Sequence, residues 1–127
     1  MSAGAITDDP TIGDSEVIWR RIPQVWVVED KNLKRTRPSS ACFQDGTNGP
    51  MSVYIASEAQ NAKVVMQGGK EPFLAALTVA FVRQLGLGIV RDSSLGGPGH
   101  ALLLGKKTGA KRDKMAKAAT WVTPYAP

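Results

Sequence analysis

The sequence predicts an α+β fold, a single compact domain in which a small, mostly antiparallel sheet of about four strands packs with about three helices. The 127 residues match the size of one domain. The composition, 43% hydrophobic and 21% charged, is typical of globular proteins. Strand-like segments alternate with segments of helical pattern. We expect a flexible acidic tail over residues 1–15, where large apolar groups are few, and one globular domain over residues 16–127.

Four segments have the composition or the alternation of strands. QVWVVE (24–29) is rich in β-branched and aromatic residues, and apolar residues alternate with polar or small ones in MSVYIA (51–56). GIVRD (88–92) and HALLLG (100–105) flank a loop rich in Gly and Pro, and we expect these two strands to pair as neighbours. The polar, basic segment 29–40 is predicted to be a loop.

Three segments have helical signals. Ser57 and Gln60 have the spacing of a capping box, which predicts a helix over about 58–66. Pro72 stands at the first turn of a second predicted helix, whose apolar positions continue to a glycine just past its end. GAKRDKMAKAATWV (109–122) is helical by propensity.

Composition also excludes several classes. No apolar run approaches the roughly 18–20 residues that span a bilayer, so we expect no membrane segment. The first 16 residues lack the basic and hydrophobic regions of a secretory signal, and the single Cys42 suggests a reducing compartment, which together predict a cytoplasmic protein. One His and one Cys do not make a usual zinc site, so we expect neither a metal nor a cofactor.

The net charge of +5 is unevenly distributed. Residues 1–16 carry four acidic and no basic residues, whereas the chain from residue 101 onward carries six basic residues against one acidic residue. A local excess of positive charge favours a phosphate-rich partner, either nucleic acid or nucleotide. The alternative is a lysine-rich, solvated face.

Two segments supply candidate anion-binding residues. In TRPSSACF an arginine fork stands beside two serine hydroxyls, and in GKKTGAKRDK basic side chains surround a predicted helix N-terminus, where free amides and the helix dipole favour anions. The alternatives are serines that satisfy backbone groups and lysines that face solvent. The candidates are Arg37, Ser39, Ser40, Lys106, Lys107, Lys111 and Arg112.

His100, Arg20 and Ser39 are the candidates for catalysis. His100 is the only histidine, histidine is the side chain most often used for general acid–base catalysis, and His100 follows a glycine-rich loop that would let a ligand approach the backbone. Arg20 and Arg21 lie in a segment that should be partly buried, and an inward arginine needs an anionic partner, either a carboxylate or a phosphate. The alternative for His100 is a structural residue at the start of a strand. Cys42 fits a small buried residue better than a nucleophile.

The strings IWRRIP, RPSSACFQD, MSVYIA, GHALLLGKK and KAATWV resemble a group of small bacterial proteins of unassigned activity with an RPSS-x-x-F string and a late His-Ala strand. The order of Arg20, the Ser39–Ser40 pair and the segment from Tyr54 through Ala59 also resembles ADP-ribosyltransferase-like domains, in which such residues surround a dinucleotide. No glutamate follows Glu71, whereas many such enzymes use a late one, and this counts against transferase chemistry.

These observations favour a small cytoplasmic protein that binds a phosphate-rich partner through the RPSS loop and the basic C-terminal region. Two alternatives stay open: a nucleotide-handling enzyme of the ADP-ribosyltransferase-like kind, and an antitoxin-like module that binds a protein partner. The discriminating feature is whether the candidate side chains converge on one concave pocket. The residues that decide it are Arg20, Arg37, Ser39, Ser40 and His100.

Overall fold

The protein is mainly a β structure built on one six-stranded sheet. The structure is a computed structural model that describes residues 7–47, 49–59, 61–67, 71–92 and 97–127. The strands of this part of the chain are β1 (Val17–Ile22), β2 (Val27–Asp30), β3 (Arg35–Pro38), β4 (Met51–Ile55), β5 (Phe73–Thr78), β6 (Gly88–Arg91), β7 (His100–Leu104) and β8 (Thr120–Trp121). The helices are α1 (Ala62–Gln67), α2 (Val79–Gln84) and α3 (Gly109–Ala118). None of these helices combines the length and the apolar character needed to cross a membrane.

All pairings in the large sheet are antiparallel, and its strand order is β6-β7-β4-β1-β5-β8. Strands β2 and β3 form a separate antiparallel hairpin. The prediction of about four strands with about three helices is therefore wrong. Among the described residues only α3, with ten residues, is longer than two helical turns, while α1 and α2 have six residues each.

The largest error in the predicted fold is the second helix. Its first half is the strand β5, whose sequence FLAALT lies between β1 and β8 and buries side chains on both faces. A short, continuous apolar run fits a buried strand and a buried helix equally well, because periodicity cannot separate the two. The helical turns begin only at Val79, where the Thr78 hydroxyl caps α2 by accepting a hydrogen bond from Phe81 N.

Other boundaries differ from the prediction in smaller ways. The segment 29–40, predicted as a loop, contains most of the β2–β3 hairpin, and QVW (24–26) is a 3-10 turn rather than the start of a strand. Helix α1 begins at Ala62 instead of residue 58. Helix α3 ends at Ala118, after which the chain joins the sheet as β8. Basic segments and alanine-rich segments have weak pattern signals, so tertiary pairing decides their structure.

Three predicted strands are confirmed. MSVYIA forms β4, and the segments around residues 88–92 and 100–105 form β6 and β7, which pair as antiparallel neighbours. The regular pattern of β4 explains its success: Met51, Val53 and Ile55 are buried in the main core. That core lies between the sheet and α3, to which Met115 and Ala116 contribute. A smaller cluster on the opposite face includes Tyr54, Ala59, Val65 and Leu74.

The N-terminal segment packs against the domain from residue 7 onward. Ile12 is fully buried, and Asp9 N donates a hydrogen bond to Ile89 O at the edge strand β6, 2.8 Å away. Asp9 also pairs with Arg91, and Asp14 pairs with Arg83. The acidic residues of the predicted tail are thus bound to arginines of the domain. Residues 1–6 lie outside the described residues.

The sheet opens between β1 and β4. Strand β1 pairs with β5 along all of its six residues but with β4 only through Ile18↔Ile55 and Trp19↔Tyr54. Beyond Trp19, β1 continues to Ile22 while β4 stays paired with β7 alone. A wedge-shaped gap between two central strands is the result, and it leaves backbone groups there without their usual ladder partners.

Candidate functional site

A polar cleft occupies this gap in the sheet. We call it the β1–β4 cleft, and its volume is about 260 Å³. Because the two strands diverge there, side chains from both faces of β1 line the cleft. Its lining combines two arginines, two hydroxyl groups, a thiol, a carboxylate and two aromatic rings. The lining residues are Arg20, Arg21, Pro23, Trp26, Cys42, Ser52, Tyr54 and Glu71.

Arg20 bridges the gap in the sheet. Its Nη1 donates a hydrogen bond to Ser52 O at 2.7 Å, and its Nε donates to Cys42 O at 3.0 Å. Arg20 thus gives a charged donor to the Ser52 carbonyl, with which β1 does not pair, and to the Cys42 carbonyl at the end of a 3-10 turn. This avoids the cost of leaving the two carbonyls unpaired. The third nitrogen, Nη2, has no acceptor in the described part of the chain.

Arg21 contacts the cleft from the other face of β1. Its Nη2 donates a hydrogen bond to the Tyr54 hydroxyl, and its Cζ lies 5.2 Å from the centre of the Tyr54 ring. The remaining nitrogens, Nε and Nη1, have no acceptor among the residues that the structure describes. Together, Arg20 and Arg21 thus offer three nitrogen atoms that make no hydrogen bond within the described part of the chain.

The cleft carries positive charge without a close counter-ion. Within the described residues, neither Arg20 nor Arg21 has a carboxylate oxygen within 4.0 Å, whereas Arg37, Arg83 and Arg91 are all paired in this way. Burial lowers the pKa of the Arg20 guanidinium, and the negative charge of Glu71 opposes this effect. An arginine keeps its proton even so, and a bound anion would offset part of the desolvation cost.

Cys42 and Trp26 complete the wall on the side of the β2–β3 hairpin. Burial raises the pKa of the Cys42 thiol, so the sulfur stays protonated at neutral pH and is a poor nucleophile. The backbone of Trp26 is fixed, because Trp26 O accepts a hydrogen bond from Ser39 N at 2.8 Å. Trp26 is 37% exposed, which makes it one of the more exposed large apolar residues of the described chain.

The RPSS segment contributes less to the cleft than its composition suggests. Arg37 donates from Nε to Asp30 Oδ2 at 2.7 Å and from Nη1 to Pro38 O at 2.9 Å, so its fork is occupied within the hairpin. The Ser39 hydroxyl lies 4.0 Å from Cys42 Sγ, and Ser40 begins a 3-10 turn. The segment reaches the cleft through Cys42, at the end of that turn.

The basic C-terminal residues have different environments. The Lys107 side chain is only 2% exposed, and its Nζ donates to Leu103 O, Gly105 O and Asp45 Oδ1 at 2.7–2.8 Å. Lys106 is exposed, and Lys111 Nζ lies over Gly86. Arg112 has a buried Nε without a partner in the described structure, and its Nη1 is 3.5 Å from Gln44 Oε1. These side chains do not form one converging site.

His100 lies on a different part of the sheet. Its side chain is 9% exposed, its Nδ1 is 3.1 Å from Asp92 O and 3.4 Å from Asp92 Oδ2, and its ring contacts the edge of Tyr54 at 5.3 Å between ring centres. It borders two open cavities, of about 310 and 430 Å³, on the side of β7. His100 therefore contacts Tyr54, which lines the β1–β4 cleft, but His100 is not itself a lining residue.

Of the predicted residues, the cleft brings together Arg20 and its neighbour Arg21, while Arg37, Ser39, Ser40 and His100 lie outside its lining. Sequence reasoning did not find Trp26, Ser52 and Glu71 as partners in this site. The sequence signal for this site is the Arg20–Arg21 pair, since consecutive residues of a strand point to opposite faces and one charge must then enter the interior. That signal does not identify the residues that surround the charge.

Comparison with known proteins adds no relative to this geometry. No protein-family model matches the sequence, and no curated protein or solved structure is significantly similar to it. In the described residues, no group of three or more His, Cys, Asp or Glu side chains has the spacing of a metal site. The interpretation of the cleft therefore depends on its own chemistry.

Proposed function

We propose that this protein binds a phosphate-bearing ligand in the β1–β4 cleft, with Arg20 and Arg21 as its anion-binding residues. One observation carries the proposal: two guanidinium groups line a half-enclosed cleft and, within the described residues, have no carboxylate oxygen within 4.0 Å. Guanidinium groups match phosphate oxygens in charge and geometry, and such charge-assisted bonds are the strongest ordinary hydrogen bonds of proteins.

The neighbouring groups support the same chemistry. The Ser52 hydroxyl lines the cleft beside the two arginines and can donate to a phosphate oxygen. Arg20 is already held by two carbonyls, so little conformational entropy is lost when it binds an anion. The proposal keeps the predicted phosphate-bearing ligand and the predicted cytoplasmic location, but moves the binding site from the RPSS loop and the basic C-terminal region to the cleft.

The enzyme alternative has weaker support. His100, the candidate acid or base, lies outside the cleft lining, and burial of the Cys42 thiol disfavours a thiolate nucleophile. Glu71 is the one carboxylate among the lining residues, and no second candidate for proton transfer stands at a hydrogen-bonding distance from it in the described structure. Binding without covalent chemistry is the function that these groups support best.

A titration with inorganic phosphate, followed by amide chemical shifts in NMR spectra of the labelled protein, tests the proposal. We expect the largest shifts at Arg20, Arg21 and Ser52. Arg21→Gln is the informative variant, because Arg21 makes a single hydrogen bond to the protein, to the Tyr54 hydroxyl. Loss of one charged contact should weaken binding by about 10- to 100-fold.

Lys106→Gln is the matched control, because it removes the same charge from an exposed side chain of the basic C-terminal region. We expect it to change phosphate affinity by less than about twofold, since an exposed charge at a distance is screened. Equal weakening by Lys106→Gln and Arg21→Gln, or shifts confined to residues 106–117, would contradict the proposed site.

A further inference from the structure

The wall of the β1–β4 cleft offers an aromatic ring beside its two positive charges. Trp26 lines the cleft, its backbone is held by Ser39, and the residue is 37% exposed. The indole nitrogen has no acceptor in the described part of the chain, whereas that of Trp121 donates to Thr36 O at 3.1 Å. A large ring on a fixed backbone, partly open to solvent, is suited to stacking against a planar group.

We infer that the ligand of the cleft is a mononucleotide, whose terminal phosphate binds Arg20 and Arg21 and whose base stacks on Trp26; this inference rests on the function proposed above. A terminal phosphate ester carries close to two negative charges at neutral pH, because its second pKa is about 6. Two guanidinium groups without a close carboxylate match that charge. Together, the charge and the aromatic ring describe a nucleotide better than a bare anion.

The charge distribution disfavours a nucleic-acid strand at this site. Binding of a strand requires a positive groove that follows several successive phosphates. The cleft has a volume of about 260 Å³, and its lining contains the two arginines, no lysine and the carboxylate of Glu71. The Glu71 carboxylate would repel a further phosphate in the same cleft, but it can accept hydrogen bonds from the hydroxyl groups of a ribose.

The test compares three probes by calorimetric titration of the full chain. Adenosine 5′-monophosphate has phosphate, ribose and base, ribose 5-phosphate lacks the base, and a ten-nucleotide single strand with hydroxyl ends lacks the terminal phosphate. We expect adenosine 5′-monophosphate to bind more tightly than ribose 5-phosphate by about 5- to 150-fold, the range expected for one stacked base. We expect the single strand to bind more weakly than adenosine 5′-monophosphate.

Three variants separate the ring from the charges. Trp26→Ala should reduce the affinity for adenosine 5′-monophosphate to that for ribose 5-phosphate, and leave the affinity for ribose 5-phosphate unchanged. Trp26→Phe should retain most of the difference, because a smaller ring still stacks. Val25→Ala is the matched control on the same exposed turn, 84% exposed in the parent, and should change neither affinity. Circular dichroism melts confirm that each variant is folded.

The outcomes distinguish this inference from the proposed function. If the parent binds ribose 5-phosphate and adenosine 5′-monophosphate equally well, and Arg21→Gln weakens both, the mononucleotide inference is wrong and the anion-binding function stands. If the parent binds neither probe, both are wrong. If the single strand binds more tightly than adenosine 5′-monophosphate, and Lys106→Gln weakens it while Trp26→Ala does not, the ligand is a nucleic acid that binds elsewhere.

Discussion

Replacement of Lys107 by methionine is expected to lower the free energy of unfolding by about 2–4 kcal/mol. The Lys107 ammonium donates to two carbonyls and to Asp45, all within 2.8 Å, and its side chain is almost fully buried. Each hydrogen bond to a charged group contributes about 1.5–3 kcal/mol, but these contributions are not additive. Because Asp45 is about half exposed and recovers water after the substitution, and because the three contributions are not additive, the expected loss lies below their simple sum.

Urea titration and thermal melting check this prediction, with Lys106→Gln as the control. Both variants lose one positive charge, but Lys106 is exposed, so its replacement should change stability by less than about 0.5 kcal/mol. For a chain of this length the Lys107 variant should melt roughly 10 °C lower than the parent. Equal stabilities of the two variants would refute the view that Lys107 is a structural residue, and would restore it to the anion-binding residues predicted from sequence.

Three further outcomes are expected. The hydrogen bond from Arg37, aided by two backbone amides, holds the pKa of Asp30 below its ordinary value. The ionised Asp30 carboxylate therefore stabilises the fold above about pH 4, and this contribution disappears as the pH falls further. Asp30→Asn should thus make the melting temperature depend less on pH between pH 4 and 2.5 than in the parent. Parallel curves of melting temperature against pH for parent and variant would contradict this. Gly99→Ala should lower the free energy of unfolding by about 2–4 kcal/mol in urea titrations, because φ is +79° and the new Cβ would lie only 2.6 Å from a backbone nitrogen. Gly97→Ala is the control and should lower it by about 1 kcal/mol, because φ is similar at +83° but the new Cβ would meet no atom of the described residues within 4 Å. Equal losses for the two variants would refute the clash at Gly99. His100→Gln should cost about 0.5–2 kcal/mol and leave phosphate affinity within about twofold, whereas a tenfold loss would place His100 in the site.

The parts of the fold that sequence predicts are those where pattern and environment agree. In strand β4 the apolar Met51, Val53 and Ile55 alternate with residues of other types, and β6 and β7 flank a loop rich in glycine, so local signals suffice. Strand β5 is apolar at almost every position because both sides of the sheet are covered there, and this removes the alternation. Its identity as a strand depends on pairing with β1, which a local pattern does not contain.

The candidate site is harder to predict for a related reason. The Arg20–Arg21 pair indicates that a charge must enter the interior, and the structure confirms that Arg20 does so. The expected partner was a carboxylate or a phosphate, but the observed partners within the protein are the carbonyls of Cys42 and Ser52. The Ser52 carbonyl is available because two central strands diverge after two paired residues, and the Cys42 carbonyl comes from the 3-10 turn that follows β3. Residue types specify neither feature.

The divergence of β1 and β4 also separates the roles of the two arginines. Arg20 satisfies the Ser52 carbonyl in the gap of the sheet and the Cys42 carbonyl of the adjacent 3-10 turn. Its replacement would therefore remove structural contacts together with the proposed ligand contact. Arg21 makes one hydrogen bond, to the Tyr54 hydroxyl, which can be replaced by water at the open side of the cleft. The fold therefore needs the charge of Arg20 but not that of Arg21. For this reason, a change of ligand affinity in an Arg21 variant reports on the ligand contact, with little contribution from a change in protein stability.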